Sequence, residues 1–453
     1  MRDTIAAISS PLGEGGIGIV RMSGPEAHAI LKRLFRPRKR TKAFASRRLY
    51  LGFFFDPQST MDVDEVFATF MDAPYTYTRE KMAEVYCHGG LSSQREILSL
   101  LMTNGARMAE PGEFTRRAFL NGRIDLAQAE SVLDIIESES AEELQSALAL
   151  SKGHLSDCIK GLSAEIEGLA AEVEASIDFP EEGLDIEDRE WPGRIGKIRD
   201  ALSTLIASFY EGRAIKQGLK ALIVGRTNVG KSSLLNALSL RDRAIVTPLP
   251  GTTRDLLEET IHVKGIKFRI IDTAGLGSPR DPIEREAQER VILRIPEADV
   301  ILWVLDASAP YNAEDEAVHE AIRGRRGLAI LNKTDLPYRI DCGTVASKGF
   351  GAMSVSALTG AGLEELKAEL FRLYAEHGGR SKGPLVTNVR HRDALLRTEE
   401  ALARAEQCME IGEPVELAAF EVRGALSCLG EITGATCTED LLDRIFSRFC
   451  IGK

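Results

Sequence analysis

The sequence predicts a multidomain α/β chain: an α+β N-terminal domain, then an α-helical domain, with a P-loop domain built on a Ras-like mixed sheet inserted into the helical one. Three observations carry this. Short apolar runs separated by turn residues crowd the first hundred positions. Apolar residues spaced by three and four run from Leu144 to Ile177, and similar helical patterns return near 391–411 and 414–429. Between them lies Gly225-Arg226-Thr227-Asn228-Val229-Gly230-Lys231-Ser232, which fits G-x-x-x-x-G-K-[ST], with apolar Ala221–Val224 before it and a Leu234, Leu235, Leu238 helical pattern behind it.

At 453 residues the chain exceeds one ordinary core, so two or three domains are expected. A hydrophobic content of 44% and a charged content of 28% are those of a globular protein. The net charge of −11 excludes a surface that attracts nucleic acid everywhere, though not a local basic site. One basic run, Lys32 to Lys42 with Arg47 and Arg48 beyond it, reads either as a solvated loop or as a phosphate-backbone contact. No apolar run approaches bilayer length, and residues 1–20 lack the features of a secretion signal, which predicts a cytoplasmic protein. Seven cysteines, with no C-x-x-C pair, suggest neither a zinc site nor a disulfide framework; reduced and mostly buried thiols are expected.

Taken in order, residues 3–24 read as two strands around a glycine turn. Gly13, Gly15, Gly16 and Gly18 have the wrong spacing for a dinucleotide fingerprint. Strands are predicted at 49–55, 63–70 and 83–87, and helices near 25–34 and 90–104. Leu155 to Ile177 reads as one long helix, and a further helix covers about 194–212 after an acidic break at 179–188. The resulting division is 1–117 for the N-terminal domain, 118–215 and 377–453 for the two parts of the helical domain, and 216–376 for the insertion. Three sequential domains are the alternative.

In the insertion, Gly225 and Gly230 turn backbone N–H groups toward a polyphosphate, and Lys231 reaches the β- and γ-phosphates. Ser232 is placed to hold Mg²⁺, beside Val229 and Ser233. The loop Thr247-Pro248-Leu249-Pro250-Gly251-Thr252-Thr253 follows, where a Thr hydroxyl and a backbone carbonyl can join Mg²⁺ and the γ-phosphate. Asp272-Thr273-Ala274-Gly275 comes after a strand at 268–271, and Asn332-Lys333-Thr334-Asp335 after one at 328–331. A carboxylate at Asp335 accepts both the N1–H and the 2-amino group of guanine, a pair that adenine lacks, so GTP is predicted over ATP. Ser356 and Ala357 supply backbone N–H for the guanine carbonyl. Where small GTPases orient water with a glutamine, Leu276 stands here and cannot hydrogen-bond. Glu284 reads either as the water-orienting group or as a helix-terminal glutamate favoured by the dipole. Asn228 reads either as a ligand of a monovalent cation beside the phosphates or as a loop asparagine bonded to its own backbone.

The chain also resembles the bacterial tRNA-modification GTPase family MnmE (TrmE). Beyond the GTPase strings, the resemblance rests on Asp3-Thr4-Ile5-Ala6-Ala7, Gly15 to Arg21, His88-Gly89-Gly90, Pro111 to Phe119, Asp125 to Glu130, Gly430 to Gly434 and the final Cys450-Ile451-Gly452-Lys453. It implies a homodimer formed by N-terminal domains that bind 5-formyl- or 5,10-methylene-tetrahydrofolate, contacted by Arg21, Glu84, Arg123 and Lys453. With the flavoprotein MnmG, such a protein adds a carboxymethylaminomethyl or aminomethyl group to C5 of the wobble uridine of tRNA. The resemblance further gives Asn228, Thr247, Leu249 and Thr252 as K⁺ ligands, Ser232 and Thr253 as Mg²⁺ ligands and Glu284 as the water-orienting residue, with K⁺-dependent pairing of GTPase domains activating hydrolysis. Cys450 reads either as a nucleophile or as a buried structural thiol. The competing reading is a ribosome-assembly GTPase acting as an RNA-binding switch, which calls for an RNA-binding domain after residue 376.

Overall fold

The computed structural model describes residues 3–11, 13–39, 44–179, 190–240, 258–272, 292–377 and 383–453, with backbone only at 240, 258, 272 and 377. The chain forms two compact units, one made of 1–136, 149–199 and 394–453, the other of 137–148 and 200–393.

The first unit begins with strands β1 (Ile5–Ile8) and β2 (Ile17–Ser23), helix α1 (Ala27–Leu34), strands β3 (Phe35–Pro37), β4 (Tyr50–Phe55), β5 (Asp62–Met71) and β6 (Met82–His88), helix α2 (Leu91–Thr103) and strand β7 (Arg107–Met108). They make a sheet of order β3-β4-β5-β6-β2-β1-β7, antiparallel except where β1 meets β7. Alternation decides which side chains are covered. On β2 and β6, Val20, Met22, Ala83, Val85 and Cys87 point into a core shared with Ile30, Leu31, Ile97 and Leu101 of α1 and α2. Arg21, Glu84, Tyr86 and His88 therefore lie on the opposite face, with Arg21 paired in register with Glu84.

Helices α3 (Glu113–Leu120), α4 (Leu126–Glu137), α5 (Ala141–Ser151) and α6 (His154–Asp178) follow. The stripe Leu155, Ile159, Leu162, Ile166, Leu169 and Val173 is buried along one continuous α6, against which the helix Val415–Thr433 packs. The expected helix over 194–212 is instead two, α7 (Trp191–Ala207) and α8 (Phe209–Gln217). At the junction the Ser208 hydroxyl bonds back to the Leu205 carbonyl (2.7 Å) and accepts from Val386 N–H (3.1 Å), local competition with the helical ladder of the kind that ends helices.

The end of the chain returns to the N-terminal sheet. Ile451 bridges Pro111, Gly112 N–H donates to Cys450 O, Phe114 N–H to Lys453 O (3.1 Å), and the Ser9 hydroxyl to Gly452 O (3.2 Å). Gly452 has φ +95°, and a Cβ there would lie 2.4 Å from Ile8 O, so only glycine fits.

Beneath this junction Arg117 is fully buried and donates to Glu113 (2.8 Å), Asp3 (2.9 Å) and Glu80 (3.1 Å). Burial pushes the Asp3 and Glu113 carboxyls up, but the Arg107 and Arg117 guanidiniums outweigh it and hold both below their ordinary range.

The second unit contains β8 (Leu219–Val224), α9 (Lys231–Leu240), β9 (Glu258–Val263), β10 (Ile266–Asp272), β11 (Val300–Asp306), β12 (Gly327–Asn332) and β13 (Gly351–Ser354). The sheet order is β13-β12-β11-β8-β10-β9, parallel except for β9 against β10. Every residue of β11 is buried, as expected for a central parallel strand covered on both faces. Ile223, Val304 and Ile330 face a core with Leu234 of α9 and Leu366 of the helix Leu363–His377. Leu222, Trp303 and Leu331 face another with Val318 and Ile322 of the helix Ala313–Ile322.

No helix among the described residues is long and apolar enough to cross a membrane. The expectation of mostly buried thiols is corrected: only Cys87 is buried, four cysteines are half-buried, and Cys342 and Cys450 are exposed. Cys450 lies in the tail, whose backbone rather than side chains makes the recorded contacts.

Replacing Arg117 by methionine leaves Glu113 and Glu80 without their buried cation, and is expected to cost about 3–5 kcal/mol of stability. Because Asp3 and Glu113 have lowered folded-state values, their stabilisation is full above the ordinary carboxylate range and is lost as pH falls through the lowered values. Chemical denaturation at neutral and acid pH should show a large deficit for Arg117→Met at neutral pH that narrows in acid.

Candidate functional site

The glycine loop leaves the C-terminal end of β8 and enters α9, and β10, β11 and β12 end at the same edge, the usual ligand-binding edge of an open parallel sheet. Gly230 has φ +94°, and a Cβ on it would stand 2.3 Å from Asn332 Nδ2, so the loop can approach β12 this closely only with glycine there. Asn228 takes a left-handed φ of +63°, a conformation asparagine tolerates better than most residues. Lys231 Nζ lies against the loop backbone, donating to Gly225 O (3.1 Å) and Arg226 O (2.9 Å).

One buried amide joins the parts. Asn332 Nδ2 donates to Val229 O in the loop (2.9 Å), and Asn332 Oδ1 accepts from Ala357 N–H (3.0 Å). Beside it, Lys333 Nζ donates to Asn228 O (2.8 Å) and to Asp306 Oδ2 (2.6 Å). Burial raises the Asp306 carboxyl, but the Lys333 and Ser308 donors outweigh it and leave it below its usual range. Asp335 Oδ1 accepts from the Ser356 hydroxyl at 2.5 Å, which fixes the carboxylate beside the 356–357 segment. The structure thus brings together Asn228, Val229, Gly230, Lys231, Asn332, Lys333, Asp335, Ser356 and Ala357, with Ser232 and Ser233 in the first turn of α9.

Residues 247–253, Thr273, Ala274, Gly275 and Glu284 lie outside the described residues, as do Arg40 and Lys42 of the basic run; Asp272 is placed by its backbone at the end of β10. Elsewhere in that run, Arg36 pairs with Asp62 (2.8 Å) and Arg38 with Glu65 (3.1 Å), so these two charges are matched.

Sequence reasoning missed Arg226. Its Nε donates to Asp315 Oδ1 (3.2 Å), a carboxylate buried on the helix Ala313–Ile322, where it also closes a capping box with Asn312. Burial pushes Asp315 above its usual value in spite of Arg226. The Asn-x-x-Asp spacing marks the cap in the sequence, but nothing there points to the loop.

A second cluster forms on the open face of the first unit. Arg21 Nε donates to Glu84 Oε1 (2.8 Å), Tyr86 O–H donates to Glu84 Oε2 (2.6 Å), and Arg21 Nη1 reaches Gly452 O (3.5 Å). Burial and the neighbouring Glu84 push the Tyr86 phenol up to about 12, which keeps it a donor. Tyr77 lies between two guanidiniums, 6.0 Å from Arg21 and 4.6 Å from Arg123, and its carbonyl accepts from Arg123 (3.2 Å). Arg21, Glu84, Arg123 and the backbone of Lys453, distant in sequence, are therefore neighbours. Tyr77 and Tyr86 carry no signal that sequence reasoning used.

A family profile described as the MnmE helical domain matches residues 126–450, and one described as the N-terminus of the GTP-binding protein TrmE matches residues 4–123. The chain belongs to the MnmE family. Among curated relatives it is 46% identical to the tRNA modification GTPase MnmE of Moorella thermoacetica, covering 100% of this chain and 99% of that one. It is 44% and 42% identical to the proteins of the same name from Geobacter sulfurreducens and Geobacter metallireducens, with full coverage of both chains in each case. This MnmE-family chain is accordingly a GTP-binding hydrolase of tRNA modification. The helical profile runs on to residue 450, where the ribosome-assembly alternative calls for an RNA-binding domain.

Replacing Asn332 by alanine strands Val229 O and Ala357 N–H and frees the loop from β12. At about 1–3 kcal/mol for a buried group left unpaired, affinity for a fluorescent GDP analogue is expected to fall on the order of 10–100-fold in an equilibrium titration.

Proposed function

We propose that this GTPase works as a cytoplasmic homodimer with the flavoprotein MnmG, adding a carboxymethylaminomethyl or aminomethyl group to C5 of the wobble uridine of tRNA with a one-carbon unit from tetrahydrofolate. The observation that carries this reading is the meeting of Arg21, Glu84 and the Gly452 carbonyl on the open sheet face, next to Tyr77 and Arg123. That set suits 5-formyl- or 5,10-methylene-tetrahydrofolate: guanidiniums for its carboxylates, a carboxylate and a backbone carbonyl for pterin donors, and an aromatic face for stacking. When bound, the folate supplies the one-carbon unit; the chain's residues orient it. Loss of Arg21 as Arg21→Ala is expected to weaken 5-formyl-tetrahydrofolate binding at least about tenfold by calorimetry, in line with losing a charge-assisted hydrogen bond, while GDP affinity stays unchanged.

In the GTP site, the loop N–H groups and the α9 N-terminus receive the phosphates and Lys231 reaches the β- and γ-oxygens. Asp335, positioned by Ser356, accepts the two guanine donors, and the Ala357 segment, held by Asn332, meets the guanine carbonyl. Mg²⁺ held by Ser232 and Thr253 neutralises developing phosphate charge when bound. K⁺ held by Asn228, Thr247, Leu249 and Thr252 adds positive charge where other GTPases use an arginine, and supports pairing of two GTPase domains. Lys333 already bonds the Asn228 carbonyl, which favours the side-chain amide oxygen as the ligand this residue would offer K⁺. Glu284 orients the attacking water, since Leu276 cannot. GTP hydrolysis should run faster in KCl than in NaCl at equal ionic strength, and Asn228→Ala should erase the difference; equal parental rates in the two salts would remove the cation from this scheme.

A further inference from the structure

The helix Ala313–Ile322 carries a group of side chains that GTP hydrolysis does not use. Glu316, His319 and Glu320 offer one ligand atom each, all within 4.8 Å of one another. His319 is 6% exposed, and its Nδ1 has no hydrogen-bond partner among the described residues. That nitrogen faces Glu316 Oε1 at 3.6 Å and Glu320 Oε1 at 4.0 Å.

Two features give this arrangement a direction. The other ring nitrogen, Nε2, meets the Lys348 carbonyl at 3.3 Å. A carbonyl accepts only, so Nε2 carries the proton, and in the neutral ring Nδ1 is a lone pair aimed at two acceptor-only carboxylates. Such a set calls for a cation between its members. The separations then discriminate between cations. An N–H···O bond is typically about 2.7–3.2 Å long; the Nε2 contact lies at the edge of that range, and both Nδ1 contacts lie well beyond it. Two ligands each about 2.0–2.1 Å from a tetrahedral metal ion stand about 3.4 Å apart, close to the spacing found. The Nε2–H to backbone-carbonyl bond is itself the usual outer support of a metal-bound imidazole. Glu316 is held in place by Tyr311 O–H (2.9 Å) and by Lys348 Nζ (2.7 Å to each oxygen). Glu320, by contrast, has Arg323 at 3.7 Å as its one ion-pair neighbour besides His319 among the described residues.

We propose that Glu316, His319 and Glu320 form a binding site for a divalent transition-metal ion, of the class that one imidazole and two carboxylates select: zinc, cobalt or nickel. The site is separate from the Mg²⁺ position at Ser232. It is built on the same helix whose Asp315 holds Arg226 of the P-loop.

Trp303 reports on it. The indole centroid lies 5.5 Å from the His319 ring, and the chain has one other tryptophan, Trp191, in the other compact unit. The full-length chain, without nucleotide and in excess Mg²⁺, is titrated with NiCl₂ while tryptophan emission is followed. Saturable quenching is expected, reversed by ZnCl₂, which competes without quenching. His319→Gln should abolish it. Because a buried histidine can matter for folding, Glu320→Gln, an exposed change, is the second variant: it should keep the parental thermal midpoint and raise the Ni²⁺ concentration for half-quenching at least about tenfold, no less than losing an outer-shell partner of a ligand costs. Absence of quenching in the parent, or the same half-quenching Ni²⁺ concentration in Glu320→Gln as in the parent, overturns the proposal.

Discussion

Parallel strands end together at one edge of the nucleotide-binding sheet, and the segments that leave β8, β12 and β13 face one another there. Asn332 is the constraint that makes this possible. Its amide offers a donor to the P-loop carbonyl at Val229 and an acceptor to the N–H of Ala357, so one planar group sets the distance between the phosphate end and the base end of the site. Gly230 follows from it, because no side chain fits under that amide. Lys333 follows as well, spanning from the Asn228 carbonyl to Asp306. A buried polar network of this kind is stable because its members are satisfied together, and costly to break at any one of them.

The unit that contains the N-terminal sheet solves a different problem. Its open face carries charge, and alternation along β2 and β6 alone would leave Arg21 and Glu84 as an ordinary cross-strand pair. What adds a third group to the pair is the 450–453 segment, laid against Ser9, Gly112 and Phe114, with the Gly452 carbonyl within reach of Arg21. The buried Arg117 cluster sits under the same junction, drawing Asp3, Glu80 and Glu113 from three separate elements. Charge there specifies which segments meet, and the surrounding apolar side chains supply the driving force.

Much of this was legible in the sequence, and the limits have physical causes. The two-residue period of β2 and β6, the three-and-four spacing along α6, and the glycine loop between strand and helix are all local patterns, written within one element and read from it. The P-loop and the motifs that begin at Asp272 and Asn332 were likewise readable, since each sits at the end of a strand that its own apolar run announces. Tertiary partners are not written that way. Nothing in the spacing of Arg226 points to Asp315, 89 positions later, and nothing in Ser9 points to Gly452, 443 positions away. The break at Ser208 was missed because an apolar period continues through it while a side-chain hydroxyl competes for the backbone. Burial of the cysteines was misjudged because a general preference for the interior says nothing about a particular thiol on a backbone-anchored tail.

The docking of residues 450–453 also orders events in time. A ribosome delivers the N-terminal sheet first, and domains tend to fold as they emerge. Arg21 and Glu84 can pair as soon as β6 is made, yet the carbonyl that Arg21 also reaches is synthesised 431 positions after it. The strands of the sheet are therefore made long before the backbone group that joins their charged pair.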